Sequence, residues 1–142
     1  LHWLQLLSNR PKQWQTPLLE ELLNLFPALR DGLDTPAGRL SQGDRQALEF
    51  VMMALPEPRL MLLDEPCAGL SPGETQRMMD AIKTVAQRLD AAALVIEHDM
   101  SAVERIADHV YVMHQGRLLA EGSLAAVQAN EKVRAVYAGG HK

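Results

Sequence analysis

Leu60-Met61-Leu62-Leu63-Asp64-Glu65-Pro66 is the stretch from which the rest of the chain is read. Four apolar residues run into two adjacent carboxylates, and a proline closes the run. A short apolar run ended by a breaker is the pattern of a strand buried on both faces, as in a parallel sheet. A carboxylate at the C-terminal end of such a strand points into the crevice where α/β sheets bind ligands. Two carboxylates side by side suit metal and water chemistry. One can hold a hard cation through oxygen, and the other can orient or deprotonate a water. The plain alternative is a loop start with two solvated charges. Only the flanking segments separate the two readings.

Downstream, Ala92-Ala93-Leu94-Val95-Ile96 is a second buried-strand candidate, ending in Glu97-His98-Asp99. Between the two strands, Ser71-Pro72-Gly73-Glu74 is a helix start with a hydroxyl cap, an early proline and a carboxylate. Met78, Ile82, Val85 and Leu89 give that helix one apolar face, and Asp90 ends it. Two strands separated by one helix imply parallel pairing through a crossover. Further on, a short helix from about Ser101 to Ala107 precedes a hairpin of residues 109–113 and 117–120 around Gln115-Gly116. Two short helices capped by Ser123 and Asn130 finish the chain, with Val133 and Val136 packing back.

Upstream, Leu40-Ser41-Gln42-Gly43-Asp44 opens a helix whose apolar stripe is Ala47, Leu48, Val51, Met52 and Leu55. Ser41 is its natural N-cap, and Asp44 comes close to completing a capping box. A hydroxyl, a glycine and free N–H groups at a helix mouth also bind phosphate. Thr16-Pro17 starts an earlier helix carrying Leu18, Leu19, Leu22, Leu23 and Phe26; Pro27 ends it or begins a new turn, and residues 30–39 read as a loop. Residues 1–10 form a weak helical pattern, and Trp3 and Trp14 pack in this region. The methionine pairs 52–53 and 78–79 belong to the core.

The 142 residues are 47% hydrophobic and carry a formal charge of −4, which gives no electrostatic case for nucleic acid. The single cysteine, Cys67, excludes an internal disulfide and reads as a buried small side chain. His2, His109, His114 and His141 lack metal-ligand spacing. No apolar run approaches the roughly 20 residues a bilayer span needs. The start, Leu1-His2-Trp3, has neither a signal-peptide pattern nor an initiator methionine, which points to a chain trimmed from something longer.

Taken together, these residues resemble the nucleotide-binding subunits of ABC transporters. Leu40–Gln46 is similar to the ABC signature, Leu60–Asp64 to Walker B, Ala68-Gly69-Leu70-Ser71 to the D-loop, and His98 to the switch histidine. The tail, from Val95-Ile96-Glu97-His98-Asp99-Met100 to Val133-Arg134-Ala135-Val136-Tyr137, is similar to the branched-chain amino acid importers, with urea and short-chain amide importers close behind. The resemblance implies an α/β fold: part of a P-loop NTPase (ABC ATPase) core, residues 56–142, preceded by part of the helical subdomain, residues 1–55. It implies Mg²⁺ positioned by Asp64 through water, a catalytic Glu65, and His98 on the γ-phosphate. Ser41, Gln42 and Gly43 would bind ATP held by a second subunit, and Ser71 would serve the D-loop. The implied partners are a second ATP-binding subunit, in a homo- or heterodimer, and transmembrane permeases, at the cytoplasmic face of the inner membrane.

Departures from the family pattern matter. No Gly-x-x-x-x-Gly-Lys-Ser/Thr occurs, so the phosphate cradle is missing. Gln5, Gln13 and Gln15 offer no convincing glutamine loop. Gln42 stands for a glycine, Asp44 for a glutamine and Ser71 for an aspartate of the usual motifs. The expectation is a fragment that is inactive alone and that self-associates through exposed edges. A P-loop-less interaction module, folded but non-catalytic, stays open as the alternative.

Overall fold

The computed structural model describes residues 17–32 and 35–139. The expected helix in residues 1–10, Thr16, both tryptophans, His2, His141 and the glutamines at 5, 13 and 15 lie outside that span. The chain divides into two compact units, Leu1–Ala102 and Val103–Lys142.

In the first unit, α1 (Pro17–Leu25) starts on a proline, whose fixed φ suits the first helical turn. It buries Leu18, Leu22 and Leu23. Pro27 does begin a new turn: α2 (Pro27–Asp31) follows directly, and Leu29 is buried. The loop that follows contains one 3₁₀ turn, Ala37–Arg39. α3 (Gln42–Ala54) buries Ala47, Leu48, Phe50, Val51 and Ala54. Phe50 lies off the stripe read from sequence, and its ring meets Phe26 edge-on at 6.1 Å. Met52 and Met53 are only half-buried, whereas Met78 and Met79 are core residues.

β1 (Leu60–Asp64) and β2 (Ala92–Ile96) pair in parallel with no slip, Leu60 opposite Ala92 and Asp64 opposite Ile96. Between them runs α4 (Pro72–Leu89). Its start is a capping box: the Ser71 N–H and hydroxyl both donate to the Glu74 carboxylate, at 2.8 and 2.6 Å. Those two hydrogen bonds hold Glu74 below the usual carboxylate range. Asp90 ends the helix in the left-handed conformation. α4 packs on α1, α3 and β2 and buries Met78, Met79, Ala81, Ile82 and Val85.

The strands differ from the sequence expectation in one respect. Neither is buried on both faces. Met61 is fully buried, but Leu60, Leu62, Leu94 and Ile96 are 55%, 66%, 52% and 57% exposed. Side chains alternate across a strand, so these four share one face with Asp64. The cause is the number of layers. An apolar run is buried twice only where helices cover both sides of a parallel sheet. Among the described residues the first unit presents one covering helix, α4, to a sheet of two strands. Among the described residues, the exposed large hydrophobics lie on strands.

α5 (Met100–Ile106) opens with a turn in which Asp99 accepts from the Ser101 N–H and hydroxyl at 2.8 and 2.6 Å, which lowers the Asp99 pKa. The second unit holds an antiparallel hairpin, β3 (Val110–His114) and β4 (Arg117–Gly122). Gln115 and Gly116 both adopt positive φ, as a two-residue turn of matching twist requires. α6 (Leu124–Ala129) is capped by Ser123, and α7 (Glu131–Gly139) by Asn130, whose side chain accepts from the Lys132 N–H. Val112, Val127 and Val133 form the small core of this unit. Val136 is half-buried.

Candidate functional site

The two strand tips of the first unit build the site. Asp64 is exposed and ends β1. Glu65 follows at φ 47, the left-handed region that costs a non-glycine residue energy. The strain is held by neighbours. The Glu65 N–H donates to Ile96 O at 2.9 Å, and its carbonyl accepts from the Ala68 N–H at 3.0 Å. The reversed backbone directs the carboxylate toward the next tip, where Glu65 Oε1 lies 3.7 Å from His98 Nδ1. That separation is an ion-pair distance when His98 is protonated and too long for a hydrogen bond. Both side chains are more than half exposed. The structure therefore brings Glu65 and His98 together, as the sequence implied, beside Asp64.

Glu97, to which the sequence assigned no role, fastens the tips. Its Oε1 accepts the Cys67 N–H at 2.9 Å and so holds the loop after β1 against the end of β2. The only sequence signal for it was its place beside the histidine. Cys67 itself is buried, as expected. Burial and the nearby Glu97 carboxylate push its thiol up to about 12. Alkylation of Cys67 at pH 8 should thus run at least tenfold slower than in the urea-unfolded chain, and Glu97→Gln should speed it. Equal rates in folded and unfolded chains would contradict this. The same shift sets a pH effect: the protonated thiol's contribution to stability is full below the unfolded value and lost as pH rises toward 12.

The mouth of α3 lies against the loop that follows β1. Gln42 and Gln46 both donate to Ala68 O, at 2.9 and 3.0 Å. Gly69 has φ 72, and a Cβ there would collide with the Gln42 amide nitrogen. A Cβ on Gly43 would stand 2.5 Å from Glu74 Oε1. At Gly69 the positive φ itself favours glycine, whereas a side chain at Gly43 would only have to displace the flexible end of Glu74. Gln42, singled out as a nucleotide contact, thus spends its amide on the loop. Gln46 and Glu74, which sequence reasoning passed over as partners of this mouth, complete the contact. Both are long side chains whose reach depends on which element folds beside them.

Ser41 behaves as an N-cap. Its Oγ accepts the Asp44 N–H at 3.1 Å and donates to Asp44 Oδ2 at 2.7 Å. The positive end of α3 therefore already faces Asp44, with Glu74 beside Gly43. Ser71, the D-loop candidate, is likewise engaged with Glu74.

No family model matches the chain. Curated proteins do. The chain is 33% identical over 122 residues to the high-affinity branched-chain amino acid transport ATP-binding protein BraG of Pseudomonas aeruginosa, covering 86% of this chain and 52% of that protein. It is 34% identical over 128 residues to the methionine import ATP-binding protein MetN of Pasteurella multocida, covering 90% of this chain and 37% of that protein. Among solved structures, a nucleotide-free ATP-binding cassette from an ABC transporter superposes with a TM-score of 0.70 at 27% identity, over 84% of this chain and 48% of that one. The chain is a homologue of ABC-transporter ATP-binding subunits. This ABC ATPase homologue spans about half the length of the relatives it matches, or less. Its α/β fold, with a parallel strand pair and flanking helices, is that of ABC ATPase domains.

As a donor set, the homologue offers one exposed tip carboxylate, Asp64, next to Glu65. Among the described residues, no group of three or more His, Cys, Asp or Glu side chains is arranged to hold a metal. One carboxylate fits Mg²⁺, which keeps waters and takes its other ligands from nucleotide phosphates. Among the described residues, no helix is long and apolar enough to cross a membrane.

Proposed function

We propose that the chain is part of the ATP-binding and ATP-hydrolysing subunit of an ABC importer that energises uptake of branched-chain amino acids. The observation that carries this reading is the 3.7 Å approach of Glu65 to His98 beside Asp64, in a homologue of BraG. Bound MgATP would supply the γ-phosphoryl group and a metal charge to offset the negative charge that develops during its transfer. Asp64 would hold that metal through water. Glu65 holds the attacking water by its carboxylate and draws off its proton. His98 offers an N–H to the γ-phosphate oxygens.

Ser41 and Gly43 meet nucleotide held by a second ATP-binding subunit, once the Ser41 hydroxyl exchanges Asp44 for phosphate. Gln42 acts on the same surface by setting the 67–70 loop, and Ser71 belongs to the D-loop between subunits. Residues 1–55 then correspond to the helical subdomain and 56–142 to the ATPase core. The partners are the second ATP-binding subunit and transmembrane permeases, reached from the cytoplasmic face of the inner membrane. Nucleic acid is not a partner in this reading.

A methionine-type importer is the second reading, favoured by the match to MetN. Because the sequence lacks the Gly-x-x-x-x-Gly-Lys-Ser/Thr cradle, the 142-residue chain alone should show no turnover and no MgATP binding tighter than about 1 mM by calorimetry. Micromolar binding or steady hydrolysis by the chain alone would overturn the assignment of the phosphate cradle to another polypeptide segment.

A further inference from the structure

We infer, building on the catalytic reading of Glu65 given above, that Glu97 is a positioning residue for hydrolysis: through the Cys67 N–H it holds the turn that aims the Glu65 carboxylate at His98. The β1–β2 ladder runs just past Asp64, where the Glu65 N–H donates to Ile96 O at 2.9 Å. It can run no further along the backbone. Pro66 has no N–H, and the next donor, the Cys67 N–H, falls beyond the end of β2 (Ala92–Ile96). A side chain must meet it. Glu97, the residue that follows β2, brings Oε1 to 2.9 Å. Cys67 is buried, so its N–H would be costly to leave without a partner, and a carboxylate is among the stronger acceptors.

The consequence reaches Glu65. At φ 47 its backbone sits where residues other than glycine rarely go, and such a conformation lasts only when the surroundings enforce it. Ile96 O pins the start of the turn, and Glu97 pins its far side. The Ala68 N–H closes the turn on Glu65 O at 3.0 Å, so a shift at Cys67 or Ala68 passes to Glu65. Gln42 and Gln46, on Ala68 O, tie the same loop toward the mouth of α3. Glu97 ties it toward the tip that carries His98. Successive residues of that tip therefore act on one turn: Ile96 by its carbonyl, Glu97 by its carboxylate, and His98 by facing Glu65 Oε1 at 3.7 Å. Without the Glu97 oxygen the turn relaxes. Glu65 then keeps its charge and loses its aim, and a misplacement of about 1 Å is enough to slow a reaction by about 10²-fold.

In the assembled ATPase, Glu97→Ala should lower kcat by about 10–100-fold while KM for ATP and nucleotide binding stay within about twofold. Glu97→Gln keeps an oxygen that accepts the Cys67 N–H, so it should return kcat to within about fivefold of the unsubstituted enzyme. In the 142-residue chain without nucleotide, Glu97→Ala should speed hydrogen exchange of the Cys67 amide by about tenfold or more and remove the NMR cross-relaxation between the Glu65 and His98 side chains. Glu97→Gln should preserve both signals. Should Glu97→Ala fail to fold, Glu97→Asp, a carboxylate shorter by a methylene, should show the same split between kcat and KM at smaller size. Unchanged kcat, equal losses in the alanine and glutamine variants, unchanged Cys67 exchange, or a lowered urea midpoint with full kcat per folded molecule would each overturn the inference. Full turnover by Glu97→Ala beside a slow Glu65→Gln overturns the positioning role alone. Full turnover by Glu65→Gln overturns the catalytic reading and the positioning role together.

Discussion

Glu65→Gln should reduce ATP turnover by the assembled ATPase by about 10²–10⁴-fold while leaving nucleotide binding within about threefold. The substitution keeps volume and planarity, so the turn built on Glu65 N–H to Ile96 O and Ala68 N–H to Glu65 O persists. What disappears is the negative charge and the basic oxygen that faces His98 at 3.7 Å. A residue held at φ 47 in a non-glycine position costs roughly 1–3 kcal/mol, and such strain clusters where a side chain must be aimed. Steady-state kinetics and nucleotide titration of the same preparation separate the two effects. Turnover close to that of the unsubstituted assembly would remove Glu65 from the chemistry. Parallel loss of binding and turnover would make its role structural.

Met61→Ala should destabilise the chain by about 2–5 kcal/mol, the range for truncating a fully buried aliphatic or thioether side chain. Met61 is the one wholly buried residue of β1. It sits on the face opposite Leu60 and Leu62, and the helix between the strands buries Met78, Met79 and Ile82. With total stability on the order of 5–15 kcal/mol, such a loss consumes much of the margin. Urea denaturation should show the midpoint falling by roughly 1–2 M. Leu62→Ala is the internal comparison. Its side chain is exposed, so the cost should stay within about 0.5 kcal/mol. Similar losses for the two variants would mean that both faces of the strand are covered in solution.

Both predictions turn on residues that the sequence picked out and on an environment that it described incompletely. The apolar run ending in Asp64-Glu65 placed the strand to within one residue, and the helix between the strands announced its cap and its face. Glu65 beside His98 was legible because strand tips in a parallel pair must lie side by side. Burial of the run on both faces was not. Hydrophobicity records what a strand is suited to touch, and whether a layer is present depends on chain that lies elsewhere. Glu97 escaped notice for a related reason: a carboxylate next to a histidine looks catalytic or solvated, and only the folded loop shows it accepting the Cys67 N–H.

The sequence by itself determined the order of elements, the carboxylate and imidazole at the strand tips, the helix caps at Ser41, Ser71 and Ser123, and the missing phosphate cradle. These follow from local periodicity and from short-range hydrogen bonding, which neighbouring residues dictate. Tertiary structure alone decided that Gln42 and Gln46 grip Ala68, that Glu74 crowds Gly43, and that four large apolar side chains of the sheet face solvent. Those facts depend on distances between elements far apart in the chain, set by how many layers pack together and not by the pattern within any one of them.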